Sequence, residues 1–275
     1  VTQTIATLGS KAAAFLTTFA AQGKMIFTSA QAGEFLGESA HTARTLARLE
    51  KGGWLYRLER GVYMIIPLEA GPERAWTESA LVIAPHLIQP AAIAYWSALH
   101  YWQLTEQVPG TIFVQSTARK RQSEKTILGM TFRFITVVEA KFFGVMQRTL
   151  NGQALYVTDR EKTLVDVADH PELSGGSLQL AQALQVAQPS LDWPRLDDYL
   201  QRWPNTAPLK RLGYLVETLP LSLPDRAERL ARWQGALSPG IVALEPGAAT
   251  ETGRIVTRWQ LRVNVAGPWS MGNGA

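Results

Sequence analysis

The sequence predicts a chain of two domains, a small helical unit closed by a β-hairpin and a larger domain of mixed α/β structure. Three observations carry this. The chain has 275 residues, 46% of them hydrophobic, more than one domain of about 100–200 residues commonly holds. The apolar period is helical in the first segments and switches to strand-like after the glycine pair Gly52-Gly53. Beyond that, residues 73–170 mix both periods, and residues 177–235 are helical between prolines at 189, 194, 204, 208, 220 and 224. Pro67 and the run Glu69-Ala70-Gly71-Pro72 read as the linker. The expected domains are therefore 1–67 and 68–275, with a closing strand at 255–265.

Each element of the small unit has a physical reason. Ile5, Leu8, Ala12, Phe15, Leu16 and Phe19 recur at helical spacing and predict a first helix that Gly23 ends. Met25-Ile26-Phe27 is a short extended run, and Thr28 and Ser29 are good N-caps for a helix over 30–36, with Ala32, Phe35 and Leu36 inward. Gly37 is the turn. Ser39 is expected to cap a second helix over 40–51 that buries Ala43, Leu46, Ala47 and Leu49. Trp54 to Leu58 and Val62 to Ile66 predict two strands joined at Glu59-Arg60-Gly61. This order is that of a winged helix-turn-helix.

In the larger domain, 74–84 and 93–102 look helical, and 111–116 and 130–138 look like strands. A basic connection, Arg119 to Lys125, lies between those strands. Residues 159–168 predict a helix capped by Thr158 or Asp159.

A winged unit points to double-stranded DNA, because the second helix of the pair fits the major groove. The face of that helix expected to be polar carries Ser39, His41, Thr42, Arg44, Thr45, Arg48 and Lys51, and the hairpin adds Arg57 and Arg60. Arginine can pair with guanine, threonine can bond a base or pack on thymine, and lysine suits phosphates. Residues 1–66 hold seven Lys/Arg against four Asp/Glu. The whole chain carries a net charge of +4, which permits nucleic-acid binding without requiring it. Arg119, Lys120, Arg121 and Lys125 form a second candidate DNA contact, with a solvated loop as the alternative.

The composition excludes other classes. There is no cysteine, so disulfides and thiolate metal sites are out and a reducing cytoplasm is the natural setting. His41, His86, His100 and His170 show no metal-ligand spacing. No apolar run reaches the length of a membrane span, and the start lacks the order of a signal peptide. No dinucleotide, Walker, nucleophile-elbow or zinc-protease motif is present, and no cofactor, metal or catalytic residue is expected. Glu139-Ala140-Lys141 after a strand matches the tail of a metal-dependent nuclease pattern. No aspartate lies between Ala75 and Val138 to complete it. Glu161 and Asp166 could pair as acids, but their positions in a helix with Leu164, Val165 and Ala168 favour structural roles. Trp96 and Trp102 could stack bases or build a core.

Four segments in order resemble a known family: Leu49-Glu50-Lys51-Gly52-Gly53-Trp54-Leu55 with Arg60-Gly61-Val62-Tyr63; Ser97-Ala98-Leu99-His100 with Leu104-Thr105-Glu106-Gln107; Val157 to Asp166; and Leu209 to Glu217. Together they are similar to the AbiEi-type antitoxins of type IV abortive-infection toxin–antitoxin systems. The resemblance implies a bacterial cytoplasmic repressor that binds inverted repeats in its own promoter. Its functional partner would be a nucleotidyltransferase-like toxin, with direct contact not required. Recognition-helix positions carry over as Arg44, Thr45 and Arg48. Two alternatives stay open: a stand-alone transcription factor whose second domain senses a ligand or partner, and a winged-helix-targeted nuclease.

Overall fold

The computed structural model of the chain describes residues 8–66, 80–150, 152–249 and 251–268. The expected linker at 67–72, positions 74–79 of an expected helix, and Ile5 lie outside the described residues. The chain divides into two compact units, one of Val1–Ala92, Ser116–Thr136 and Gln147–Tyr156, the other of Ile93–Gln115, Val137–Met146 and Val157–Ala275.

In the first unit, helix α1 (Ser10–Ala21) buries Ala12, Phe15, Leu16 and Phe19. Gly23 at φ +70° turns the chain into strand β1 (Ile26–Thr28). Thr28 then caps α2 (Ser29–Leu36) reciprocally. Its hydroxyl accepts from the Gln31 amide at 3.2 Å, and the Gln31 side chain accepts from the Thr28 amide at 2.7 Å. After Gly37, α3 runs Ser39–Lys51, with Glu38 rather than Ser39 in the N-cap position and no side-chain cap bond. Strands β2 (Leu55–Glu59) and β3 (Val62–Ile65) pair antiparallel, and the sheet order is β1-β3-β2. The register moves from Arg57↔Tyr63 to Glu59↔Val62, so Leu58 is the extra residue of a bulge and turns fully inward. The core is aromatic: Phe15 meets Phe27 edge-on at 5.3 Å and Phe19 at 4.6 Å, joined by Leu36, Leu46, Leu49, Leu55 and Ile65. Each such side chain contributes about 1.5–3 kcal/mol on burial. Phe35, expected inward, is more than a third exposed.

Later elements are a 3-10 turn at Ala80–Ile83, α4 (Ala84–Leu87), β4 (Ala92–Ile93), α5 (Tyr95–Tyr101), β5 (Thr111–Ser116), β6 (Glu124–Ile127), β7 (Met130–Thr136), β8 (Val145–Leu150) and β9 (Gln153–Thr158). Then follow α6 (Arg160–Asp169), α7 (Ser177–Ala187), α8 (Trp193–Arg202), α9 (Ala207–Thr218), α10 (Arg226–Gly235), β10 (Val242–Ala243), β11 (Arg254–Val256) and β12 (Leu261–Val263). Several expectations change. Residues 93–102 are not one helix: Ile93 pairs in parallel with Val157, and α5 begins only at Tyr95. The basic connection holds a strand, β6, in a tight hairpin with β7 whose turn residues Leu128 and Gly129 both have positive φ. The tail is not one strand. A 3-10 turn at Thr257–Trp259 splits it into β11 and β12, which form a small sheet in the order β10-β12-β11.

The second unit is built around α6, which packs against α5, α7, α8 and α9 and is buried from Glu161 to Ala168. Asp159 caps it by accepting from the Lys162 amide at 2.7 Å and also accepts from the Tyr199 hydroxyl at 2.7 Å. A helix buried on every side places its polar residues against partners. Lys162 pairs with Asp166, whose Oδ1 also accepts from Gln115 at 3.1 Å. Burial pulls the Lys162 ammonium below and pushes the Asp166 carboxyl above their ordinary ranges, each opposed by the other's charge.

Candidate nucleic-acid interface

The period of α3 decides which side chains face outward. Its buried residues are Thr42, Thr45, Leu46 and Leu49, spaced i, i+3, i+4 and i+7 as one helix face requires. This corrects the expected face: Thr42 and Thr45 point into the core, at 4% and 6% exposure, while Ala43 and Ala47 are exposed. The helix is turned by close to one residue step from the arrangement that hydrophobicity alone selects. Threonine can take the inner place because its methyl packs and its hydroxyl finds a local acceptor. Thr42 Oγ1 donates to the Gly37 carbonyl at 3.1 Å.

The outward strip is Ala40, Arg44, Ala47, Arg48 and Lys51, with Ala43 and His41 at its edges and Ser39 exposed at the helix start. Arg44 Nε donates to the Ala40 carbonyl at 3.2 Å, which leans the guanidinium toward the N-terminal half of α3. On the hairpin, Arg57 is exposed on β2 and Arg60 is exposed at the turn beside Gly61. Among the described residues, none of Arg44, Arg48, Lys51, Arg57 and Arg60 pairs with a carboxylate. Five cations therefore stand in water, interleaved on the helix with small side chains that let a partner surface come close. Sequence reasoning missed Ala43 and Ala47 because alanine reads as core.

The second candidate group divides. Lys120 Nζ binds Glu59 Oε1 at 2.9 Å and the Leu87 carbonyl. Lys125 Nζ binds the same Glu59 oxygen at 3.0 Å and the Leu58 carbonyl. These ammonium groups fasten the connection to the turn end of the hairpin, next to Arg60, which corrects their reading as free phosphate contacts, whereas Arg119 and Arg121 are exposed. Partial burial alone would raise the Glu59 carboxyl, but the bonds from Lys120 and Lys125 prevail and hold it below its ordinary value.

The residues considered for catalysis are placed structurally. Glu139 is exposed in a 3-10 turn. Lys141 pairs with Asp169 at 2.5 Å and lies over the Trp203 ring. Glu161 accepts from the Asp192 amide at 2.9 Å. Trp102 donates to the Thr158 carbonyl at 2.7 Å under the Arg160 guanidinium. Among the described residues no group of three His, Asp or Glu is arranged to hold a metal, and no helix is long and apolar enough to cross a membrane.

The stretch from Phe15 in α1 to Ile66 after β3 holds the α2-turn-α3 pair and its hairpin. Residues 15–66 match the model of a family described as transcriptional regulator, AbiEi antitoxin. The AbiEi match thus spans the exposed cation strip and the hairpin, and it agrees with the resemblance seen in the sequence. No curated protein sequence matches the chain. A solved structure, the RV2827C protein from Mycobacterium tuberculosis, is similar in fold. It shares 18% identity at a TM-score of 0.64, with 93% of this chain and 92% of that one covered.

Proposed function

We propose that this protein is a sequence-specific DNA-binding repressor that serves as the antitoxin of a type IV toxin–antitoxin system and regulates its own operon from the cytoplasm. The observation that carries the reading is the strip Arg44, Ala47, Arg48 and Lys51 on the helix that follows the turn, unpaired and exposed within the segment that matches the antitoxin family. Residues 1–67 act as the DNA-binding domain and residues 68–275 as the antitoxin domain. The α3 strip enters the major groove, where an arginine can take guanine O6 and N7 and the Ala43 and Ala47 methyls can meet thymine. Arg57 and Arg60 meet the backbone or a minor groove. Thr42 and Thr45, being buried, support this surface from beneath. The promoter site is an inverted repeat, and the functional partner is a nucleotidyltransferase-like toxin that need not be touched.

The test has two arms. Purified protein is titrated against its own promoter and a scrambled duplex, and the gene is co-expressed with the adjacent reading frame in a growth assay. Preference for the promoter and rescue of growth are expected. Equal binding to both duplexes at every salt concentration would sink the repressor reading, and a toxic neighbour that is not neutralised would sink the antitoxin reading.

A further inference from the structure

Helix α9 carries two cations that lack a counter-ion in contact. Lys210 and Arg211 are 2% and 5% exposed, and among the described residues neither pairs with a carboxylate. Lys210 Nζ donates to the Gly240 carbonyl and to Gln260 Oε1 at 3.3 Å. Arg211 donates through Nε to the Ala243 carbonyl at 2.9 Å and through Nη1 to Ala168 and Asp169 carbonyls at 2.7 and 3.2 Å. Its Nη2 makes no hydrogen bond among the described residues. Both cations lie just past the first turn of α9, a turn that carries no acidic side chain of its own, so the positive end of the helix adds to their charge. Buried cations held only by neutral oxygens are costly.

The same two side chains line a cavity of about 450 Å³, within the range of sites for small organic ligands. The acids around it are engaged. Asp169 pairs with Lys141 at 2.5 Å and His170 at 3.4 Å, and Glu172 pairs with His170 at 2.8 Å. Asp169, Glu172 and Glu245 all act on Arg211 from a distance, and Glu245 accepts from the Ser177 amide at 2.6 Å. Beside the charges, Pro239, Ile241 and Val242 supply an apolar wall, and the Thr206 and Ser238 hydroxyls meet at 2.6 Å on the lining.

We infer that this cavity binds a small phosphomonoester, its phosphate received by Arg211 Nη2 in the field of Lys210 and the α9 N-terminus, its organic part against the Pro239–Val242 wall. With Nε and Nη1 already on backbone carbonyls, Nη2 offers a single charge-assisted bond to a phosphate oxygen rather than a two-oxygen fork. The cavity is too large for phosphate alone, so the organic part contributes to affinity. Lys210 acts mainly by holding the Gly240 carbonyl, which fixes the wall.

The test is calorimetric titration of the full chain with AMP, adenosine and inorganic phosphate. The expected result is one AMP site, weaker binding of phosphate, and no binding of adenosine. Arg211→Lys keeps a charge and should weaken AMP at least tenfold. Because Arg211 also ties three carbonyls, Ile241→Glu is the second variant. Ile241 is 53% exposed, so the fold should survive while the added carboxylate repels the ligand. Failure of AMP to bind, or equal binding of adenosine, would overturn the proposal. So would AMP binding that survives Ile241→Glu but disappears in an Arg44→Ala/Arg48→Ala variant, which would place the phosphate on α3.

Discussion

Five exposed, unpaired cations on α3 and the hairpin set the ionic part of DNA binding expected of this surface. If Arg44, Arg48, Lys51, Arg57 and Arg60 all meet phosphates, the slope of log affinity against log salt should approach about −4.5 per subunit, at about 0.9 per phosphate. Affinity should then fall about 500-fold between about 50 and 200 mM salt. Replacing one phosphate-contacting residue, as in Arg60→Ala, should flatten the slope to about −3.6 and weaken all duplexes alike. An arginine that reads guanine behaves differently: Arg44→Ala or Arg48→Ala should cost about 1–3 kcal/mol and relax preference at one base pair. Ala47→Glu puts a carboxylate in the middle of the strip without touching the core and should abolish binding while leaving thermal unfolding unchanged. Thr45→Ala is the internal contrast. It should lower stability by about 1 kcal/mol yet keep slope and base preference in the folded protein. Fluorescence anisotropy of labelled promoter DNA at four or more salt concentrations reads the slopes and base preferences, and thermal melting of the protein reads the two stability effects. A slope that stays the same when all five cations are replaced would refute the assignment of this surface.

Other perturbations follow from the second unit. Asp166→Ala leaves the Lys162 ammonium buried without its partner and should cost about 3–5 kcal/mol in chemical denaturation; Asp166→Asn, which keeps an acceptor, should cost less. In Gly213→Ala a Cβ would lie 2.1 Å from the Trp259 ring, so the ring must leave its place, and a red-shifted tryptophan emission with a lowered melting temperature is expected. His170 is held above its ordinary value of 6.5, first by the hydrogen bond to Glu172. A raised folded value means that this contribution is complete below 6.5 and fades as pH rises through the raised value. Melting temperature should therefore drift down on that alkaline side, and His170→Gln should remove the drift.

The first unit was legible because its signals are local. Phe15, Phe19, Leu46 and Leu49 mark helix faces, Thr28 announces a cap, and Gly61 permits the hairpin turn. What failed there was the rotation of α3, since alanine and threonine differ in hydrophobicity in the direction opposite to their burial. In the second unit the errors are tertiary. Val145–Leu150 runs two apolar, three polar and one apolar residue, without the alternation a strand shows, so β8 carried no signal. Ile93 continued an apolar helical run until its pairing with Val157 took it into a strand. Lys120 and Lys125 looked like a free basic loop because their acceptor, Glu59, lies about 60 residues upstream. The cavity beside Arg211 was invisible for the same reason, its wall at 238–242 and its acids at 169–172 being remote in sequence.

The Trp259 ring against bare Gly213 also sets a clock on synthesis. About 45 residues separate the helix from the ring that covers it, so at 5–20 residues per second the nascent α9 waits roughly 2–9 s with that groove open. Over that interval a newly made chain presents an apolar notch that the finished protein never shows. A message that stalls or stops before Trp259 would keep it open for good, so loss of the segment that carries this ring should act on the protein's lifetime in the cell before it acts on anything the protein binds.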